Sequence, residues 1–172
     1  MRKLNIVYIG IGTNLGDKLN NIQLAYQHIQ SEIGVISRKS NIYKTPPWGF
    51  ESTEEFYNSV IKVNTFLEPE ALLDELQKIE VHLGKRQTYS IGYSSRLIDL
   101  DIIDFNNKVI DTNRLSIPHS HLTERSFVLL PLFDVSPSWT HPKTKKTIQQ
   151  LIRIIEKDMR IIKIEFHTNK NT

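Results

Sequence analysis

Arg96, Asp99 and Asp101 are the residues in this chain whose types and spacing could most directly do chemistry. Written as a β-strand, Arg96-Leu97-Ile98-Asp99-Leu100-Asp101-Ile102-Ile103-Asp104 sends alternate side chains to opposite faces. Ile98, Leu100 and Ile102 then share an apolar face that requires a core. Asp99 and Asp101 share the other face. Carboxylates held this close repel each other unless a cation lies between them. For a site made only of oxygen, that cation is typically Mg²⁺, which keeps several waters and completes its shell from a substrate's phosphates. Arg96 adds a planar, permanently charged fork at the same end of the strand. A sheet strand with one solvated face would also account for the pattern, so the surrounding chain has to decide.

Other chemical candidates are weaker. Ile117-Pro118-His119-Ser120-His121 offers two imidazoles, but zinc needs a third ligand and the chain has no cysteine. The same lack rules out disulfides and thiolate chemistry. Gly10, Gly12 and Gly16 suggest a phosphate cradle, yet their spacing is not Gly-x-Gly-x-x-Gly and no Gly-Lys-Ser/Thr follows. A nucleotide here would have to be held by metal and side chains. Thr45-Pro46-Pro47-Trp48-Gly49-Phe50 is a stiff aromatic loop, either a surface turn or one wall of a pocket for a planar ring. Gln77 and Glu80 lie three apart on a helix face and read from the sequence alone as solvated.

The elements that must position these groups follow from periodicity. Leu4 to Ile11 reads as a strand. Asp17 is a good N-cap for a helix from Lys18, with Leu19, Ile22, Tyr26 and Ile29 as its apolar stripe and Gly34 as its stop. Val35 to Tyr43 reads as one strand with a polar middle, and Phe56 to Phe66 as another. Pro69 opens a helix whose stripe is Leu72, Leu76, Ile79 and Leu83. The polar stretch from Lys85 to Ser95 reads as a mobile loop leading into the Asp-x-Asp strand. Asn106-Asn107 signals a hairpin whose return strand starts at Val109-Ile110. Phe127 to Phe133 reads as helical until interrupted near Pro131. Ile148, Leu151, Ile152 and Ile155 mark a late helix, and Ile162, Ile164 and Phe166 a last strand. The mixture predicts an α+β domain with a mainly antiparallel sheet covered by helices.

The 172 residues fit one domain, 1–172, with a frayed tail at about 168–172. Hydrophobic residues make up 39% and charged residues 24%, as in a soluble globular protein, and the net charge of +3 is too small to indicate nucleic acid by itself. No apolar run would span a bilayer, and Met1 to Gly12 reads as a strand and not as a secretion signal. The expectation is a cytoplasmic monomer without membrane or nucleic-acid partners. A basic RNA-binding module using Trp48, Tyr89 and Tyr93 as stacking platforms is the rival reading. The Asp pair opposes it, because carboxylates repel phosphates unless a metal intervenes.

Taken together, the segments resemble the 6-hydroxymethyl-7,8-dihydropterin pyrophosphokinases of folate synthesis. The resemblance rests on Ile11-Gly12-Thr13-Asn14-Leu15, Tyr43-x-Thr45-Pro46-Pro47, Tyr57-Asn58 and Gln77-x-x-Glu80-x-x-x-Gly84. It continues through Arg96-x-Ile98-Asp99-Leu100-Asp101-Ile102, Ile117-Pro118-His119 and Arg125-x-Phe127-Val128-Leu129-x-Pro131-Leu132. It implies a ferredoxin-like core and transfer of pyrophosphate from ATP to the pterin hydroxymethyl group, releasing AMP. By the same likeness, Asp99 and Asp101 would hold two Mg²⁺ ions. Thr45, Pro46, Pro47, Trp48, Phe56, Asn58, Tyr93 and Phe127 would line the pterin pocket. Gln77, Glu80, Arg86, Arg96, Ile102, Arg114, Leu115, Ser116, His119 and Arg125 would surround ATP, and Lys85, Arg96, His119 and Arg125 would serve the transfer itself. The chain departs from the family pattern at Lys85, Tyr93, Ser95 and Ser120, and a catalytically weakened pterin- and ATP-binding paralogue is the alternative within the family.

Overall fold

A computed structural model describes residues 3–46, 54–84 and 97–155, and the backbone of 162–164. Val7, Ile9 and Ile11 alternate with Tyr8 and Gly10, which makes Asn5–Thr13 a strand (β1) with a continuous apolar face. Asp17 accepts from the Asn20 N–H at 3.0 Å and so starts helix α1, Lys18–Glu32. Strands β2 (Gly34–Lys39), β3 (Ile42–Thr45) and β4 (Phe56–Thr65) follow, then helix α2 (Pro69–His82) and strand β5 (Asp99–Phe105). Two short strands, β6 (Ile110–Asp111) and β7 (Ser116–Ile117), lead to helices α3 (Ser126–Val135) and α4 (Ile148–Ile155), and β8 (Ile162–Ile164) is the last described element.

The main sheet has the order β5-β1-β4-β3-β8, with β2 also paired to β4, and every pairing is antiparallel. The run β1-α1-β2-β4-α2-β5 with spatial order β5-β1-β4-β2 is a ferredoxin-like βαββαβ unit, and the expected α+β fold is present. One core lies between the sheet and α1/α2, built on Val7, Ile9, Ile29, Leu76, Leu100 and Ile102. A second lies on the opposite face, where Tyr8, Val60 and Ile103 meet Leu129 and Leu132 of α3 and Leu151 of α4. Among the described residues no helix is long and apolar enough to cross a membrane.

Several sequence expectations need correction. Leu19 is 39% exposed, and Ala25, fully buried, takes its place in the α1 stripe. Gly34 does not end α1 by a left-handed turn. It begins β2, where a Cβ would collide with the Asn64 carbonyl. The strand predicted over Val35 to Tyr43 is two strands, because Ser40 and Asn41 turn their side chains to neighbours. Ser40 Oγ accepts from Val60 N at 2.9 Å, and Asn41 donates twice to Asp134. Asn106 and Asn107 do turn the chain, with φ of 54° and 53°, but the residues after them pair with β7 and not back onto β5. Helix α3 runs through Pro131 without ending. Burial of Val128, Leu129, Leu132 and Val135 outweighs the one backbone hydrogen bond that proline cannot donate.

Asp104 is 1% exposed, and burial pushes its carboxyl up to about 6 against the opposing Asn107 N–H, which donates to Oδ2 at 2.9 Å, and the neighbouring Trp139. The fold therefore favours the neutral acid. The stability this group contributes is present below about pH 4 and is lost as pH rises through about 6. We expect Asp104→Asn to remove that loss. Denaturant unfolding of the wild type at pH 4.5 and 7.5 should show a decline on the order of 2 kcal/mol that the variant lacks. Equal slopes for both proteins would mean that the carboxyl is ionised in the folded state.

Candidate active site

β5 is the edge strand that carries Asp99 and Asp101. One edge is held by β1, through Gly12↔Asp99 and Gly10↔Asp101. The other is held by side chains and loop backbone. Glu80 Oε1, reaching from α2, accepts from the Leu100 N–H at 2.7 Å, and the His119 N–H donates to the Ile103 carbonyl at 3.1 Å. Glu80 is therefore 4% exposed and does not share a solvated face with Gln77, which is exposed. It fixes the backbone between the two carboxylates. Sequence alone could not show this, because the partner of Glu80 is a main-chain N–H twenty residues away.

The expected alternation holds. Ile98, Leu100 and Ile102 enter the α1/α2 core, while Asp99 and Asp101, both half-buried, face the α3 side. There they border a cleft whose floor crosses four strands. It runs from Asp99 and Asp101 on β5, over Gly10 and Gly12 on β1, past Asn58 and Val60 on β4, to Thr45 and Pro46 at the end of β3. At ordinary strand spacing this is roughly 14 Å. The N-terminal turn of α3, with Arg125, Phe127 and Val128, lies over it. Glycine matters at position 12, since a Cβ there would stand 3.2 Å from Asn58 Oδ1. Ser59, Val60, Ile103 and Val128 border the cleft without having been named as site residues from sequence, and Gly10, weighed there as part of a phosphate cradle, borders it too. Gly10 and Ile103 carried a readable signal, because they share strand parity with Gly12 and Asp101.

The two ends of the cleft differ in chemistry. At the β3/β4 end, Asn58 Nδ2 donates to Thr45 Oγ1 at 2.9 Å, which fixes the amide, and Phe56 adds an aromatic face. At the β5 end are the two carboxylates, with His119 Nε2 4.0 Å from Asp101 Oδ2. Burial, helped by His121 and opposed by Asp99, holds His119 below its ordinary value, so the ring is neutral at pH 7. Arg125 also lines the cleft, 7% exposed, its guanidinium 5.7 Å from the Phe127 ring centre. Burial lowers its pKa, but a guanidinium remains charged throughout the physiological range.

Other sequence candidates lie elsewhere or outside view. Ile102 and Leu115 turn their side chains into the α1/α2 core, which leaves only their backbone to meet a ligand on the cleft side. Arg114 is exposed and held by Asp74 at 2.5 Å and Glu70 at 3.4 Å on α2, and Ser116 is exposed on β7. His119 and His121 have ring centres 6.3 Å apart, and the described residues contain no group of three or more His, Cys, Asp or Glu able to hold a metal. A pair of carboxylates with an open side suits a hard cation that takes its other ligands from water or phosphate. Pro47, Trp48, Lys85, Arg86, Tyr93, Ser95 and Arg96 lie outside the described residues.

Comparison with known proteins identifies relatives of this chain. The 2-amino-4-hydroxy-6-hydroxymethyldihydropteridine pyrophosphokinase of Aquifex aeolicus is 35% identical over 144 residues, 84% of this chain and 88% of that protein. The Porphyromonas gingivalis protein of the same name is 38% identical, over 80% of this chain and 95% of that one. The folic acid synthesis protein FOL1 of Dictyostelium discoideum is 39% identical over 86% of this chain, which spans only 22% of that longer protein. Among solved structures, a Plasmodium falciparum HPPK-DHPS superposes with a TM-score of 0.70 at 19% identity, over 88% of this chain and 43% of that one, a likeness of fold. The family model for 7,8-dihydro-6-hydroxymethylpterin-pyrophosphokinase matches residues 8–137, three-quarters of the sequence, and the chain belongs to that family.

Proposed function

We propose that this protein transfers pyrophosphate from ATP to the hydroxymethyl group of 6-hydroxymethyl-7,8-dihydropterin, releasing AMP, as a step of folate biosynthesis. The observation that carries the reading is one cleft with two unlike ends. Asp99 and Asp101 stand on β5 at one end, Asn58, Thr45 and Phe56 on β4 and β3 at the other, and Arg125 lines the same cleft from the start of α3. A flat, hydrogen-bonding ring suits an aromatic slot with a fixed amide. A triphosphate suits the end with the carboxylates, where Mg²⁺ ions held by Asp99 and Asp101 would neutralise its charge. Phosphoryl-type transfer asks the protein for positioning and charge stabilisation more than for a covalent nucleophile. In this reading the hydroxymethyl oxygen attacks the β-phosphorus, the bridge between the α- and β-phosphorus breaks, and AMP keeps the bridging oxygen. Asn58 and Phe56 orient the ring, while Arg125 meets the charge that develops on the transferring group. Gln77, Lys85, Arg86, Arg96, Arg114 and His119 complete the nucleotide side on the strength of family likeness. The reading extends to a cytoplasmic monomer, and sedimentation of the purified chain tests the oligomeric part.

The test is product analysis. Incubating the protein with ATP, Mg²⁺ and 6-hydroxymethyl-7,8-dihydropterin should yield AMP and a pterin diphosphate in equal amounts by ³¹P NMR. ADP as the nucleotide product would overturn the assignment, since it would place attack at the γ-phosphorus.

A further inference from the structure

We infer that Asp134 and Tyr43 are positioning residues for the ring end of the cleft, an inference that rests on the function proposed above. Asp134 lies near the end of α3, far along the helix from the cleft. Its Oδ2 accepts three hydrogen bonds, from Asn41 N at 3.0 Å, Asn41 Nδ2 at 2.8 Å and Tyr43 Oη at 3.0 Å. All three donors sit at the start of β3, so one carboxylate oxygen ties the helix over the cleft to the outer strand of its floor. Tyr43 is 6% exposed. Its burial, together with the adjacent carboxylate, holds its hydroxyl far above the usual phenol range, so it remains a donor.

The consequences reach both walls. Thr45 is two residues after Tyr43 on the same face of β3, roughly 7 Å along the strand. Thr45 Oγ1 is the acceptor that orients Asn58, and Asn58 pairs directly with Tyr43 across the ladder. On the helix side, Phe127 is seven residues before Asp134, about two turns away on the same flank. Pro131, midway between them, cannot donate to the Phe127 carbonyl, so one rung that would stiffen this stretch is missing. Where Phe127 and Val128 stand above the floor therefore depends on how α3 is seated. The other polar tie near this end of α3, Tyr8 Oη to Ser136 Oγ at 3.0 Å, goes to β1 and leaves β3 unconstrained. Asp134 alone links α3 to the strand that carries Thr45 among the described hydrogen bonds. None of its three bonds touches the cleft, which separates it from residues that contact a ligand.

The experiment measures dissociation constants for 6-hydroxymethyl-7,8-dihydropterin and for a non-hydrolysable ATP analogue, with thermal melting as a fold control. The proteins are wild type, Tyr43→Phe, Asp134→Ala, Asp134→Asn and the Tyr43→Phe/Asp134→Ala double variant. Tyr43→Phe and Asp134→Ala should each weaken pterin binding roughly three- to tenfold, the scale of one ordinary hydrogen bond, and leave the ATP analogue within about twofold. Asp134→Asn, whose amide oxygen still accepts, should recover pterin binding to within about twofold of wild type. The double variant should be no worse than the poorer single variant, because both changes cut the same link. Unchanged pterin affinity in Tyr43→Phe and Asp134→Ala overturns the inference, as does an equal loss of both ligands, which would mark a purely structural role. A wild type that binds the ATP analogue but no pterin would instead overturn the proposed function.

Discussion

Asp99→Asn and Asp101→Asn should each fold normally and turn over on the order of 10³ times more slowly than wild type, the upper range for loss of one preorganised electrostatic contact. Both side chains are half-buried on one face of β5, and their backbone is pinned by β1 on one edge and by Glu80 on the other. Neither substitution disturbs that pinning, because Asn is isosteric with Asp and the Glu80 bond is made to the Leu100 N–H. Each change removes half of a like-charge pair, so without Mg²⁺ the melting temperature should stay level or rise. With Mg²⁺ the wild type should gain stability by mass action and the variants should gain less. The two readouts separate catalysis from folding. A near wild-type rate at saturating Mg²⁺ for either variant would sink the metal assignment.

Arg125→Ala should lose about 10²–10³ in kcat/KM. Arg125 precedes Ser126, the first residue of α3, is 7% exposed and lies against Phe127, so its guanidinium is already ordered over the cleft. A buried cation is poorly placed for stability at a helix N-terminus, where the dipole favours negative charge. The same placement suits an anionic substrate group, which would meet the guanidinium at the positive end of the helix dipole. Activity should therefore fall much more steeply than melting temperature. Arg125→Lys should restore only part of the rate, because an ammonium cannot present a planar fork. Full restoration by lysine would show that charge alone is needed at this position.

The sequence made the β5 face and the general class of fold readable, because a period of two and a period of 3.6 survive without tertiary knowledge. It made Asp17 and Pro69 readable for the same reason, since caps and first-turn prolines act within a few residues. What could not be read depended on partners distant in the chain. Glu80 looks like half of a solvated i,i+3 pair until its acceptor role at Leu100 is seen. Gly34 looks like a helix stop until the Asn64 carbonyl is found against it. Ser40 and Asn41 look like a polar stretch inside one strand, yet Asp134, more than ninety residues later, helps set the break between two. For the site, the cleft's floor was legible from parity on β1 and β5, while the helix over it was not, since no local pattern tells which sheet face α3 will cover.

The irregularity in β5 has a consequence for how this chain can vary. Tyr8 pairs with Asp104 but Ile9 pairs with Ile102, so Ile103 is an extra residue on the β5 side. Before it, odd-numbered residues face α3. After it the phase is reversed, so Asp104 faces the α3 side beside Trp139 and Phe105 enters the α1/α2 core. The strand thus behaves as two segments with independent phase joined at one residue. Changes in length beyond the junction can be absorbed there without shifting Asp99 and Asp101 relative to Gly12 and Gly10. Regular pairing that kept Ile103 in the ladder would instead turn Asp104 into an apolar core and Phe105 out of it, a penalty large enough to hold the junction in place.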